Sequence, residues 1–134
     1  MRRRSDWASP MEGVSFEVSL QIEFEHGRKA LIVRLKGELD HHTAEAVKAR
    51  MEEAIERGGF QNIVLSLKEL DFMDSSGIGV ILGRYRQINS KGGKLIVCDV
   101  NPSVQRLFQL SGLFKILSIE DNERAAISRL EVMS

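Results

Sequence analysis

The sequence predicts an α/β domain: a mixed sheet of about five strands, mostly parallel, carrying about four helices. Three observations predict it. Two strand-like runs, Val14 to Glu25 and Ala30 to Leu35, are separated only by the turn His26-Gly27-Arg28-Lys29. Later apolar runs of strand length each follow a segment of helical period. The change of period is sharpest at Asp74-Ser75-Ser76-Gly77, between Ile63-Val64-Leu65-Ser66-Leu67 and the helical series Ile78, Ile81, Leu82, Tyr85 and Ile88.

In chain order, residues 1–13 read as a disordered leader, with three arginines, Pro10 and Gly13 and no apolar period. Trp7 is expected to be exposed there. From Val14 to Glu25 apolar residues alternate as on a half-buried strand. The turn at 26–29 returns the chain antiparallel as Ala30–Leu35. Gly37 to Thr43 ends that strand, and Asp40 or Thr43 offers a cap for a helix reaching about Arg57. Its expected apolar stripe is Ala46, Val47, Ala49, Arg50, Met51, Ala54 and Ile55, and Gly58-Gly59 stops it.

Gln61–Leu67 reads as the third strand, apolar enough for burial on both faces, as a parallel strand requires. A loop to Gly77 and a helix to about Asn89 follow. Lys94–Val100 is the fourth strand. Asn101-Pro102-Ser103 opens a short helix, with Pro102 suited to its first turn, and Gly112 closes it. Lys115–Ile119 is the fifth strand, and a last helix runs from Asp121-Asn122-Glu123 to about Val132 with Ala125, Ala126, Ile127 and Leu130 inward. Strands joined through helices are expected parallel with right-handed crossovers. The first strand is then antiparallel at an edge, in a single domain spanning 14–134.

Composition narrows the function. Lys plus Arg number 19, as do Asp plus Glu, so the formal charge is zero and no basic face for nucleic acid is expected. No apolar run approaches the ~20 residues of a membrane span. Met1-Arg2-Arg3-Arg4 has no apolar segment behind it, so a secretory signal is not expected. Cys98 lies in an apolar run and reads as a buried reduced thiol of a cytoplasmic protein.

Asp74 or Ser75 suits a helix cap, because a short side-chain oxygen accepts from the free N–H groups of the first turn. One cap leaves a serine over, and Gly77 follows where a better helix former would serve. A small residue beside a hydroxyl lets something large approach. Spacing alone leaves Ser75 and Ser76 equally open as the functional hydroxyl.

Other chemistries fit less well. Gly77-Ile78-Gly79-Val80-Ile81-Leu82-Gly83 is one residue longer than a dinucleotide fingerprint and lies within helical periodicity. Gly79 and Gly83 read as close-packing positions, and a phosphate loop is lacking. His41-His42 have no further ligands at a metal-binding spacing, so they suit a partner-contact rim and no metal is expected. Asp-Ser-Ser-Gly is not a nucleophile elbow, so no catalytic residue is assigned. A modifiable serine remains. A phosphate would add about −1.5 to −2 charge, tolerated at a helix N-terminus. On a rim already made negative by Asp74 and Asp40 it would change the surface rather than the fold.

The segments Gly37 to Glu45, Phe72 to Tyr85, Pro102 to Phe108 and Ser111 to Ile116 resemble the STAS family of sulfate-transporter and anti-sigma-factor-antagonist domains. Within it, His41-His42 and the complete Asp74-Ser75-Ser76-Gly77 core are most similar to the sporulation antagonists of endospore-forming bacteria. The resemblance covers roughly residues 14 to 130. It implies the STAS fold and a binding module rather than an enzyme, with no cofactor. It also implies a partner-binding set of Asp40, His41, His42, Thr43, Asp74, Ser75, Ser76, Gly77, Ile78 and Gly79. The implied partners are a serine-kinase anti-sigma factor carrying ATP or ADP, which phosphorylates Ser76, and a PP2C-type phosphatase that reverses it. Membrane and nucleic acid are not expected partners, and the chain is expected to be a monomer or weak dimer. The alternatives are a STAS module of another signalling complex, such as a stressosome, and a nucleotide-binding module.

Overall fold

The computed structural model describes residues 19–133. The expected leader over 1–13, with Trp7, and the first part of the first strand lie outside the described residues.

Five strands form one sheet in the order β1-β2-β3-β4-β5. Strand β1 (Leu20–His26) and β2 (Leu31–Leu39) pair antiparallel, with Leu20 opposite Gly37 and His26 opposite Leu31. Parallel pairing then takes β2 to β3 (Ile63–Met73), β3 to β4 (Leu95–Cys98) and β4 to β5 (Ser118–Glu120). Among the described residues the α-helices are α1 (Ala44–Gly58), α2 (Ser75–Asn89), α3 (Pro102–Ser111) and α4 (Glu123–Met133). The mixed, mostly parallel sheet with its antiparallel edge strand is the expected one.

The alternation of side chains along each strand divides the core in two. Ile63, Leu65, Leu67, Leu95 and Val97 pack with Val47, Met51 and Ile55 of α1, Val80, Ile81 and Ile88 of α2, and Val104 and Phe108 of α3. Ile32, Val64, Ile96 and Cys98 point the other way and meet Ala126 and Leu130 of α4. Ile63 to Leu67 are buried without exception, as a strand covered on both faces requires. Full burial of such a side chain is worth roughly 1.5–3 kcal/mol.

Some boundaries and faces differ from expectation. Strand β3 continues six residues past Leu67, through the expected loop, because β2 is long enough to pair with it up to Leu39 opposite Met73. Register shifts at Arg34/Lys36 and at Gly37/Glu38 keep Leu70 and Met73 inward. Gly37 takes φ +108°, and a Cβ there would fall 2.1 Å from the carbonyl oxygen of Ser19. Strand β5 begins later than Lys115, because Leu113–Lys115 coil into a 3₁₀ turn that leaves Ile116 exposed. On α1, Ala46 and Ala49 face solvent; the inward side is Val47, Met51 and Ile55, at strict three-to-four spacing.

Helix ends follow local chemistry. Gly59 at φ +66° ends α1 and Gly112 at φ +76° ends α3, both in the left-handed region. Asn101 caps α3 by accepting from the Val104 N–H at 2.9 Å, with Pro102 in the first turn, and its amide donates to the Leu70 carbonyl at 2.8 Å. That last bond ties α3 to the extended part of β3.

Cys98 is fully buried and free. Burial, then the neighbouring Asp99 carboxylate, pushes its thiol up to about 12. It is an inert core group, as its sequence context suggests.

Candidate functional site: the rim between two strand ends

Two loops meet where β2 and β3 end side by side. Leu39 lies opposite Met73, and the Asp74 N–H donates to the Leu39 carbonyl at 3.2 Å. Asp40 and Asp74, the residues after each strand, are thereby adjacent. The sequence placed both on one rim, and the sheet register brings them there.

The first loop is locked by Asp40 and Thr43. One Asp40 carboxylate oxygen accepts from the His42 N–H at 2.9 Å and the Thr43 N–H at 3.1 Å. The Thr43 hydroxyl accepts from the Asp40 N–H at 3.0 Å and donates to the Glu38 carbonyl at 2.9 Å. Neither side chain caps α1 in the expected manner: Thr43 is the N-cap residue but its hydroxyl points back into the loop. Desolvation is the largest single influence on the Asp40 carboxyl and raises it; the hydrogen bonds from the His42 and Thr43 N–H groups together with the other His42 and Thr43 interactions outweigh it and hold the group below the usual range.

Thr43 is 4% exposed, so it acts by positioning rather than by touching a partner. His41 and His42 are both exposed, with ring centroids 3.9 Å apart. Among the described residues no three His, Cys, Asp or Glu side chains are gathered as metal ligands.

The second loop is the start of α2. The Asp74 carboxylate accepts from the Ser76 N–H at 2.8 Å, so Asp74 is the cap and Ser75 is released from that role. Neither serine hydroxyl bonds to another described residue. Ser75 is exposed and Ser76 half-buried at the edge of a groove between α1 and α2. Ile78 is half-buried and leans on the core.

The glycines exchange the roles expected of them. Gly77 is buried, and a Cβ on it would lie 2.5 Å from Met73 Cγ and 3.0 Å from Leu39. It is small so that α2 can sit on the two strand ends, not so that a ligand can approach. Gly79 and Gly83, expected to be close-packed, have nothing within 4 Å of a built Cβ. They line the open groove together with His41, Ala44, Glu45, Lys48, Glu52, Ser76, Val80 and Arg84. Helical phase separates the cases: Gly77 falls three and four residues before the buried Val80 and Ile81, on the inward face.

Sequence reasoning missed Arg84. It is 5% exposed, on the inward side of α2. Its Nε donates to Gln87 Oε1 at 2.9 Å and its Nη2 to Glu52 Oε2 at 3.1 Å. Gln87 in turn donates to Glu56, which also pairs with Lys91. Burial lowers the Arg84 guanidinium from its ordinary range, and Glu52 opposes that. The network joins α1 to α2 and so fixes the width of the groove.

No helix among the described residues is long and apolar enough to cross a membrane. The sequence profile of the STAS domain matches residues 21–126. The chain is 63% identical over 117 residues to the anti-sigma F factor antagonist of Paenibacillus polymyxa, covering 87% of this chain and 100% of that one. Its fold matches the anti-sigma factor antagonist SpoIIAA solved in unphosphorylated form, with TM-score 0.65, 34% identity, and coverage of 84% of this chain and 97% of that one. The phosphorylated form of the Bacillus cell fate determinant SpoIIAA matches with TM-score 0.65 and 36% identity, over 81% of this chain and 98% of that one.

Proposed function

The chain belongs to the STAS domain family, and from that premise we propose that it is a phospho-switched anti-sigma factor antagonist. In its unmodified state it binds a serine kinase that doubles as an anti-sigma factor, and so frees the sigma factor. Phosphorylation of Ser76 ends binding, and a PP2C-type phosphatase restores it. The chain itself is a substrate and binding module without catalysis or cofactor, acting in the cytoplasm as a monomer or weak dimer.

The observation that carries this reading is the state of Ser76. Its backbone N–H is tied to Asp74 at 2.8 Å while its hydroxyl is uncommitted at the groove edge. A phosphate there adds about −1.5 to −2 charge at the positive end of a helix, so the fold tolerates it. A partner seated on that hydroxyl meets added bulk and a desolvated charge, which removes several kcal/mol of binding. The relatedness to antagonists, one of them solved with a phosphate, supports the same assignment. His41, His42, Asp40, Ser75 and Gly79 share the rim, with Thr43, Gly77 and Ile78 as its supports.

Ser76→Asp tests the switch. It should keep the wild-type circular dichroism and melting curve and lose binding to the kinase. Binding at wild-type strength would contradict the proposal.

A further inference from the structure

The groove continues two helical turns beyond Ser76 and ends at an incompletely satisfied arginine. Two of the Arg84 nitrogens are engaged by Gln87 and Glu52, but Nη1 is buried with no hydrogen-bond partner among the described residues. A buried donor left unpaired is destabilising, so it marks a place where an incoming acceptor gains more than it would in water. Lys48, on the opposite wall, has no ion pair among the described residues, whereas the charge of Glu52 is already matched by Arg84. The floor between them is Gly79 and Gly83, where no side chain rises and a Cβ would meet nothing within 4 Å. The open volume of about 600 Å³ accommodates an inserted side chain.

We infer that this groove is the seat for an acidic side chain of the protein partner, whose carboxylate enters over Gly79 and Gly83 and accepts from Arg84 Nη1 and Lys48. The inference rests on the proposed function, since the partner is the kinase that reads Ser76. It extends the contact surface to residues outside the Asp74–Gly79 loop. The Ser76 end is the switch, where added negative charge is repelled. The Arg84 end is the anchor, where a negative group is accepted. Glu45 stands toward the Ser76 end, nearly two turns from Glu52 on α1, and the Glu52 carboxylate at the Arg84 end is held by Arg84 Nη2 at 3.1 Å, which leaves Nη1 as the donor for the incoming acid. A carboxylate suits this end because a guanidinium and an ammonium converge on it with charge-assisted bonds.

Two variants test it by calorimetric titration against the purified ADP-loaded kinase. Gly83→Leu fills the floor from a position where the fold has room, and Lys48→Glu reverses the charge of one wall. Gly83→Leu should melt at or above the wild-type temperature and Lys48→Glu slightly below it, because the new carboxylate stands three and four residues from Glu45 and Glu52 on α1; each should bind at least about tenfold more weakly. A lysine substituted for the inserted acid on the kinase, found by scanning its surface acids, should recover binding of Lys48→Glu alone. Wild-type affinity in both variants overturns the anchor and leaves the Ser76 switch standing, because Ser76→Asp is read separately. A loss confined to one variant contradicts it too, since the seat requires both space and positive charge. A wild-type chain that does not bind the kinase overturns the proposed function and this inference with it.

Discussion

The Asp74 carboxylate accepts a 2.8 Å hydrogen bond from the backbone N–H of Ser76. One residue therefore caps α2 and orients the next but one, leaving the Ser76 hydroxyl outward. Structure and switch are divided between neighbours: Asp74 holds the helix end, and Ser76 is free to be modified without loss of the cap.

Asp74→Ala should therefore destabilise the domain by about 1 kcal/mol, the usual value of a lost N-cap. Asp74→Asn, which keeps an accepting oxygen, should cost less. Urea unfolding followed by circular dichroism measures both. Equal loss in the two variants would mean that the charge at the helix end matters more than the hydrogen bond.

The glycines of α2 should respond in opposite directions. Gly77→Ala drives a methyl group against Met73 and Leu39 and should cost about 1–3 kcal/mol through overpacking. Gly79→Ala meets nothing and should gain up to about 1 kcal/mol from helix propensity. Thermal melting distinguishes them, and a destabilised Gly79→Ala would show that the groove is less open than described.

Acid should loosen the contact between α4 and the sheet. Arg34 Nε and Nη2 donate to Glu123 at 2.7 and 2.9 Å. The hydrogen bond from Arg34 lowers the Glu123 carboxyl below its ordinary value, against a smaller opposing effect of burial. A group whose pKa is lower folded than unfolded contributes stability that is full above its unfolded value, about 4.3. That contribution is lost as pH falls through the folded value. Unfolding free energy measured from about pH 6 to about pH 3 should fall less steeply in Glu123→Gln than in wild type. Parallel curves would contradict the assignment.

What the sequence made legible was mostly local. The change from strand to helix at Asp74, the cap there, the glycine stops at Gly59 and Gly112, and Pro102 at the start of α3 each depend on a few consecutive residues. The adjacency of Asp40 and Asp74 followed once β2 and β3 were parallel neighbours. The length of β3 was not legible, because Lys68, Glu69 and Asp71 read as loop and only the reach of β2 extends the pairing past them. Arg84 drew no reading of its own from the sequence. Its burial depends on Glu52, 32 residues away on another helix, which no local pattern reveals. The glycines were misassigned for a smaller reason, since composition says that a residue is small and only helical phase says which side it faces.

The switch rests on one hydroxyl, so the most direct measurement is the intact mass of the chain after incubation with the kinase anti-sigma factor and ATP, alongside Ser76→Ala. One added phosphate on the wild type and none on the variant is the predicted result. A phosphate that persists on Ser76→Ala, or its absence from the wild type, would contradict Ser76 as the switch.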